Sequence, residues 1–450
     1  MAKWLLVLLT FSFTATWSQV LPSDSVTEDR AESSETDKQI QTLQDRVKRS
    51  PADYAGFDGL GAAFLQKARE TGDISYYNLA EQALKKALAL VPQDFRAADP
   101  SIHMAVVCMG EHRFADALSF AQRAIATGSG SLAAFAIEGD AYTDMGDYDQ
   151  AQLAYDTVQA LGRLSTPPLM LAYMSDSRQA YLRFLHGESA AAVGLMKDSI
   201  AAGLQANIPR ENLAWLYFEL GERYFQSGAL EEASLSYESG IAADPNHYRS
   251  LAGLAKVRAA QGRFEESIQL YQRSIAIIPF PVYVAELGDV YRRVGRLEEA
   301  QRQYELVEYI GHLSELNRVL ANRELALFYA DQEIKLAEAL KLARNELEVR
   351  RDIYTWDALA WALYKNGRFA EAGQATEKAL SLHTNDPQLL FHAGMIYHSL
   401  AKDAEATDLL NRALQINPHF HVLDAEVAAH ALAEISRPLS ADSRSAHVQR

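Results

Sequence analysis

Cysteine is almost absent from this 450-residue sequence: Cys108 is the only one. No disulfide can form within the chain, so the fold must be stabilised by packing alone, unlike small secreted domains that depend on disulfides. No Cys/His cluster has the ligand spacing of a structural zinc site either. We therefore expect neither a disulfide framework nor a structural metal.

Positive charge is also in deficit. The sequence has 43 Lys and Arg against 59 Asp and Glu, a formal net charge of -16. A surface of this sign repels phosphate backbones and anionic lipid. Nucleic acid and acidic membranes are therefore not expected as partners.

Motifs that carry chemistry are missing too. The sequence has no HExxH, no GxSxG and no P-loop, each of which positions a metal, a nucleophile or a phosphate. Gly59 and Gly61 begin a GxG pattern, but Phe64 stands where the third glycine of a dinucleotide-binding loop would be. We expect no catalytic residue and no cofactor, because an enzyme needs convergent polar groups with shifted pKa values.

Four histidines near the C-terminus raise the question of a metal site. His392 and His398 are six residues apart, which does not place them side by side on a helix. His419 and His421 flank Phe420 in a segment that follows. We interpret all four as capping or surface histidines and expect no bound metal.

An apolar run stands at the N-terminus. Lys3 precedes the stretches 4–9 and 11–17, and the run ends near Ser18. This pattern is typical of an export signal, and its length is short for a membrane span. We expect a signal peptide over residues 1–18, with periplasmic or secreted localisation and no membrane insertion after cleavage. The alternative is a short hydrophobic helix or a membrane anchor.

A polar segment follows, rich in charge and poor in aromatic residues. Such a composition buries too little apolar area to offset the entropy lost on ordering. We expect a disordered leader over residues 19–50, with a weak helical pattern from Lys38 that stops at Ser50 and Pro51.

The rest of the chain repeats with a period of 33 or 34 residues. The period appears in aligned leucines, turn glycines, tyrosines and prolines: Leu220, Leu254 and Leu287; Gly228, Gly262 and Gly295; Tyr237, Tyr271 and Tyr304; Pro245 and Pro279. A period of this length is the signature of a solenoid in which each unit covers its neighbour.

One copy of the period carries a specific pattern, formed by Tyr217, Leu220, Gly221, Tyr224, Ala233, Tyr237 and Pro245. It resembles the tetratricopeptide repeat at nearly every signature position. The resemblance implies an exported, bacterial, all-α protein of this superfamily. Its fold would be a right-handed α-solenoid of about ten antiparallel helix pairs, some degenerate, over residues 51–421. A capping helix over 422–436 and a flexible tail over 437–450 would follow.

The resemblance also implies a concave groove that takes up peptides or helices. Positions 2, 5, 9, 12 and 13 of each first helix share one face, and in three repeats they include Glu222, Asp289 and Asp357. From this face we select aromatic and basic residues as candidate partner-binding residues, because such side chains dominate binding energy. They are Tyr181, Phe184, Trp215, Phe218, Phe225, Arg249, Lys256, Arg292, Arg293, Tyr354, Trp361, Tyr364 and Phe391.

Two alternatives stay open for these residues. Neighbouring helices could bury the aromatic side chains. The basic group would attract an acidic ligand or a terminal carboxylate, or its members could pair with local glutamates. The Lys and Asn pattern by which the family's chaperone-binding subgroup holds a terminal carboxylate is absent, so that specificity is not assigned.

These observations predict a non-catalytic protein–protein interaction scaffold that binds peptide or helix segments outside the cytoplasm. The alternative is an accessory or regulatory subunit of an envelope enzyme or assembly complex, in which another chain is catalytic. The lone Cys108 falls where the repeat normally has an aromatic filler. We interpret it as a buried small residue and not as a nucleophile.

Overall fold

The computed structural model describes residues 35–91, 94–165, 168–316 and 323–436, and within these ranges it contains helices and turns but no strand. This confirms the all-α prediction. No helix in the described ranges is both long and apolar enough to cross a membrane. The expected signal peptide, residues 19–34 of the leader and the expected tail lie outside the described residues.

Ten helix pairs make up the array within the described residues, which agrees with the predicted number. Each pair joins two helices that pack along each other through a short turn. The pairs are α2 (Tyr54–Thr71) with α3 (Ser75–Leu90), α4 (Ala98–Gly110) with α5 (Phe114–Ala126), α6 (Leu132–Asp144) with α7 (Tyr148–Ser165), α8 (Pro168–Leu185) with α9 (Ser189–Ala206), α10 (Arg210–Gln226) with α11 (Leu230–Ala243), α12 (Tyr248–Ala260) with α13 (Phe264–Ile277), α14 (Pro281–Arg293) with α15 (Leu297–Leu316), α16 (Arg323–Asp331) with α17 (Leu336–Val349), α18 (Ile353–Lys365) with α19 (Phe369–Ala379), and α20 (Pro387–Ser399) with α21 (Asp403–Ile416).

The signature residues allow neighbouring helices to pack closely against each other. Tyr237 is fully buried, and its ring lies against the helix backbone at Gly221 and Gly253. A Cβ atom at either glycine would come within 2.5 Å or 2.3 Å of that ring. The turn that ends α10 passes through Gly228 at φ 78, a conformation that glycine adopts without strain. The repeat pattern therefore specifies how closely the helices approach and where each pair turns.

Helix α1 (Glu35–Arg49) differs from the predicted leader. Its apolar residues Ile40, Leu43 and Val47 recur at three and four residues and pack against the core of the first pair. The prediction of disorder up to residue 50 is therefore wrong for residues 35–49. The average polarity of the segment hides this stripe, which covers the apolar surface that the first pair leaves open.

The other end of the array is covered by α22 (Asp424–Ile435), which packs on α20 and α21. Its buried side chains are Ala428 and Ala431. Small residues allow the close approach that a cap on the last pair requires.

The array also folds back on itself. The Asn385 side chain donates to the Gly187 carbonyl oxygen at 2.8 Å, although the two residues are 198 positions apart. The Asn417 side chain donates to the Phe225 carbonyl oxygen at 2.7 Å across 192 positions. Loops late in the chain thus dock on turns within pairs about six units earlier, which closes one superhelical turn against the next.

Arg350 makes a third contact of this kind. Its guanidinium lies 2.9 Å from the Asp144 carboxylate and over the ring of Phe114, 4.8 Å from the ring centroid. The neighbouring Arg351 N–H donates to the Asp144 carbonyl oxygen. Successive turns are therefore joined by buried polar contacts and not only by the chain.

Candidate functional site

A cavity of about 940 Å³ opens on the concave side of the array. Its walls come from the first helices of six consecutive pairs, α10, α12, α14, α16, α18 and α20, and the segment 418–429 closes one end. Ligand-binding pockets commonly have volumes of roughly 300 to 1,000 Å³. This cavity therefore has room for several side chains of a bound segment.

The cavity is acidic. Nine of its lining residues are Asp or Glu, and three are Lys or Arg. Each of the three cations is already paired with a carboxylate. The pairs are Lys256 with Glu222 at 3.1 Å, Arg293 with Glu426, and Arg323 with Asp352 at 3.0 Å. The excess negative charge is therefore not neutralised by the described lining cations.

The repeat itself places part of this acidity. In three pairs the tyrosine of the second helix donates its hydroxyl to a carboxylate 15 residues earlier, on the inner face of the first helix: Tyr155 to Asp140, Tyr237 to Glu222, and Tyr304 to Asp289. Tyr271 instead donates to Glu286, 15 residues later, on the first helix of the next pair. A neutral hydroxyl orients each carboxylate without cancelling its charge.

Asp331, at the end of α16, is exposed to the cavity. Its carboxylate accepts the Trp361 indole N–H at 2.6 Å. Partial removal from water by the surrounding protein, and to a smaller extent the nearby Asp424 carboxylate, raises the pKa of Asp331 to about 7. Near neutral pH this group is therefore close to the midpoint of its titration.

Asp386 caps the N-terminus of α20 and is buried. It accepts the backbone N–H groups of Gln388 and Leu389, the Tyr354 hydroxyl at 3.2 Å and the Gln226 amide at 3.2 Å. Burial raises the pKa of Asp386, and the hydrogen bonds oppose that rise. All of these partners are neutral donors.

Two histidines face carboxylates at the closed end. His421 lies 3.5 Å from Asp289 and 3.2 Å from Asp424. Burial on its own would lower the pKa of His421, but the two carboxylates outweigh it and raise the pKa to about 10. His392 likewise pairs with Asp357 at 2.9 Å, which raises its pKa against the effect of burial.

The structure divides the candidate residues of the sequence analysis. Phe225, Lys256, Arg293 and Tyr354 line the cavity. The candidate aromatics that are buried are Phe184, Phe218, Phe225, Trp361 and Phe391. Three more are partly buried against core clusters, namely Tyr181, Trp215 and Tyr364. Arg249 lies over the rings of Tyr248 and Phe280, and Arg292 is exposed.

The tight superhelix explains this division. Neighbouring first helices pack directly on each other, as where the Trp361 ring stacks on His392 with centroids 4.1 Å apart. Several side chains at positions 2 and 5, such as Phe218, are buried in this packing. Positions 9, 12 and 13 of α10 and α12, and positions 9 and 13 of α14, open into the cavity. That a partner contacts the thirteen candidates stays a prediction.

The structure decides between the two alternatives for part of the basic group. Lys256 and Arg293 are paired with glutamates, as the second alternative has it, and the cavity has an excess of carboxylates. Glu222 and Asp289 occupy inner-face positions of their first helices, so part of the acidity of the cavity could have been predicted from the sequence. The contribution of Asp331 could not, because Asp331 lies at a helix end that only the folded array brings to the cavity.

Metal and thiol chemistry have little support in the described part of the chain. Those ranges contain no group of three or more His, Cys, Asp or Glu placed to hold a metal ion. Cys108 is fully buried, and burial raises the pKa of its thiol to about 12. The thiol is therefore protonated and inaccessible, as expected of a packing residue.

Comparison with known proteins agrees with the helix-pair architecture. The profile of the tetratricopeptide repeat family matches residues 218–280 and 358–419. Tetratricopeptide repeat protein 8 of Caenorhabditis elegans is 24% identical over 220 residues, which cover 48% of this chain and 42% of that protein. The TPR repeat-containing protein YpiA of Bacillus subtilis (strain 168) is 26% identical over 227 residues, 48% of this chain and 51% of that protein. The chain thus matches about half of each relative's length.

Among solved structures, yeast Tom70 aligns with 92% of this chain and 96% of its own, at 14% sequence identity and a TM-score of 0.41. A tetratricopeptide repeat protein from Parabacteroides merdae covers 59% of this chain and 99% of its own, at 18% identity and a TM-score of 0.33.

Proposed function

We propose that the chain is a multi-repeat tetratricopeptide protein and a non-catalytic scaffold that holds a segment of a partner protein in the cavity of its concave side. Proteins of this kind are protein-interaction scaffolds. The observation that carries the proposal is the cavity itself, to which six consecutive first helices contribute. A segment bound there would contact more than half of the array.

The location outside the cytoplasm is part of the same proposal. It is supported by the apolar run over 4–17 behind Lys3. Fractionation of cells that express the full chain, followed by N-terminal sequencing of the exported form, tests it. Recovery of the intact N-terminus in the cytoplasm would contradict it.

The partner is sought by crosslinking and affinity purification of the full-length chain, followed by mass spectrometry. A co-purifying enzyme whose rate changes on binding would favour the accessory-subunit alternative. A co-purifying non-enzymatic protein would favour the scaffold.

A cavity-filling substitution then tests the site. Ala285 lines the cavity and is partly buried on α14, so A285W occupies space that the partner needs. We expect at least a tenfold loss of affinity, about 1.4 kcal/mol. The matched control is A191W, on the exposed face of α9. Circular dichroism and melting curves establish that both variants fold, and equal partner binding by A285W and A191W would refute the proposal.

One observation favours a second candidate, an acid–base enzyme. Asp331 with a pKa of about 7 lies near other titratable groups inside a cavity, an arrangement that also occurs in active sites. Among the described residues that line the cavity there is no Ser, Thr or Cys, so those residues offer no nucleophile of these types for a covalent mechanism. Turnover of a candidate substrate that is lost in D331N would support catalysis.

A further inference from the structure

We propose that the cavity receives lysine or arginine side chains, so that the bound segment of the partner is basic. This inference rests on the proposed function, because it names the chemistry of the occupant of the same cavity. The charge of this segment is opposite to that of the acidic ligand that the sequence analysis gives as one of two alternatives.

The first support is the set of carboxylates that have no cation. Within the described residues, Glu286, Asp331 and Asp386 line the cavity, and none of them has a Lys, Arg or His nitrogen within ion-pair distance. Their hydrogen-bond partners are tyrosine hydroxyls, an indole N–H, an amide and backbone N–H groups. Glu286 and Asp331 each accept a single hydrogen bond from a neutral donor, so they retain free lone pairs for a charged donor, whose approach would favour their ionised form.

The second support is independent of charge. The side-chain carbonyl oxygens of Gln226 and Gln388 are buried and accept no hydrogen bond, although both residues line the cavity. Their amide nitrogens are engaged, with Asp386 at 3.2 Å and Asp424 at 2.9 Å. Flipping either amide would place its carbonyl oxygen against a carboxylate, so the network sets the orientation. These two oxygens therefore add unused acceptors to the carboxylates that have no cation.

A basic side chain supplies what is missing. An ammonium carries three N–H donors and a guanidinium five, and neither is an acceptor. The apolar part of the lining, which includes Val282, Leu327, Phe328 and Phe420, suits the methylene stem of either side chain. An anionic segment would face the uncompensated carboxylates and is disfavoured.

The test uses short fluorescein-labelled peptides and fluorescence anisotropy with the full-length protein. One peptide alternates lysine with alanine, the second replaces each lysine by acetyl-lysine, and the third replaces each lysine by glutamate. At physiological ionic strength we expect saturable, one-to-one binding of the lysine peptide alone. Absence of saturable binding of the lysine peptide, or equal binding of the acetyl-lysine or glutamate peptide, would overturn the inference.

Two charge-matched double variants separate the cavity from the acidic surface as a whole. E286Q/D331N removes two unpaired cavity carboxylates, and D156N/E305Q removes two exposed carboxylates on the second helices α7 and α15. We expect the lysine peptide to bind E286Q/D331N about tenfold more weakly or worse, and D156N/E305Q like the parent protein. If both double variants bind the lysine peptide equally weakly, the attraction is a general electrostatic effect of the acidic surface, and the inference is contradicted.

Failure of this inference and failure of the proposed function give different results. If A285W loses the natural partner but E286Q/D331N and D156N/E305Q bind the lysine peptide equally, the cavity binds a segment that is not basic. If A285W retains the natural partner fully, the proposed function is itself wrong.

Discussion

Single residues decide how closely the helices of this array approach. Tyr237 lies against the backbone at Gly221 and Gly253, where a Cβ atom would come within 2.5 Å and 2.3 Å of its ring. The same relation holds between Tyr304 and Gly288, with a gap of 2.4 Å. These glycines are therefore packing residues, and a larger side chain at either position must displace the tyrosine ring or the helix.

A pair of glycine substitutions tests this role. Gly221→Ala forces Tyr237 or a helix to move, and overpacking of this kind costs ~1 to 3 kcal/mol. Gly194 is also inside a helix, α9, but nothing lies within 4 Å of its would-be Cβ atom. There Gly194→Ala should stabilise the protein by about 0.5 to 1 kcal/mol through helix propensity. Urea unfolding of both variants is the measurement, and equal effects would show that the ring contact is unimportant.

His421 makes stability depend on pH. Its folded pKa of about 10 is raised above the unfolded value of about 6.5. The stabilisation is therefore fully present below pH ~6.5 and is lost as pH rises towards 10. The groups that face it are Asp289, Asp331 and Asp424.

The variant His421→Gln isolates this contribution. At pH 6 we expect it to unfold about 1.5 to 3 kcal/mol more easily than the parent protein, since it loses hydrogen bonds to charged groups. At pH 9.5 the difference should be much smaller. Denaturant titrations at the two pH values measure it, and a constant difference would mean that the imidazole does not titrate as inferred.

At the scale of elements, the ends of the array explain why α1 and α22 exist. Each helix pair leaves an apolar face for its neighbour, so the first and last pairs need a cover. Helix α1 supplies it through Ile40, Leu43 and Val47, and α22 supplies it at the other end through Ala428 and Ala431.

Leu43→Ala measures the cover at the N-terminal end. Leu43 is only partly buried, so we expect a loss of about 1 to 2 kcal/mol, below the ~2 to 5 kcal/mol of a fully buried leucine. Lys48→Ala, on the exposed side of the same helix, should change stability by less than ~0.5 kcal/mol. If Leu43→Ala behaves like Lys48→Ala in urea unfolding, α1 is not a structural part of the array.

At the scale of the whole molecule, the array departs from the usual one-dimensional solenoid. In such a solenoid each repeat contacts only its neighbours, and distant repeats can unfold separately. Here Arg350 binds Asp144, and Asn417 binds the Phe225 carbonyl oxygen, across about 200 residues. These contacts couple the first half of the chain to the second.

The double variant Arg350→Ala/Asn417→Ala should uncouple the halves. Thiol labelling during urea unfolding reports each half separately, through the buried Cys108 in the parent sequence or through A393C in a C108A background, because Ala393 is also buried. We expect the two labelling transitions to coincide in the parent protein and to separate in the double variant.

The control for this experiment is Arg344→Ala/Asn246→Ala, which alters an exposed Arg and an exposed Asn. Its two transitions should still coincide. Coinciding transitions in the Arg350→Ala/Asn417→Ala protein as well would show that contacts between successive turns do not govern cooperativity.

The sequence by itself determined the helix pairs, their number and the register of the inner face, because those features depend on contacts between residues within about one repeat of each other. The spacing of Tyr237 and Gly221 in the sequence predicts their contact. Only the tertiary structure decided that Trp361 is buried, that Arg350 reaches Asp144, and that Asp331 lies in an acidic cavity. These outcomes depend on small rotations between pairs that accumulate over six units. No local pattern in the sequence records the sum of these rotations, so these three outcomes could be seen only in the folded array.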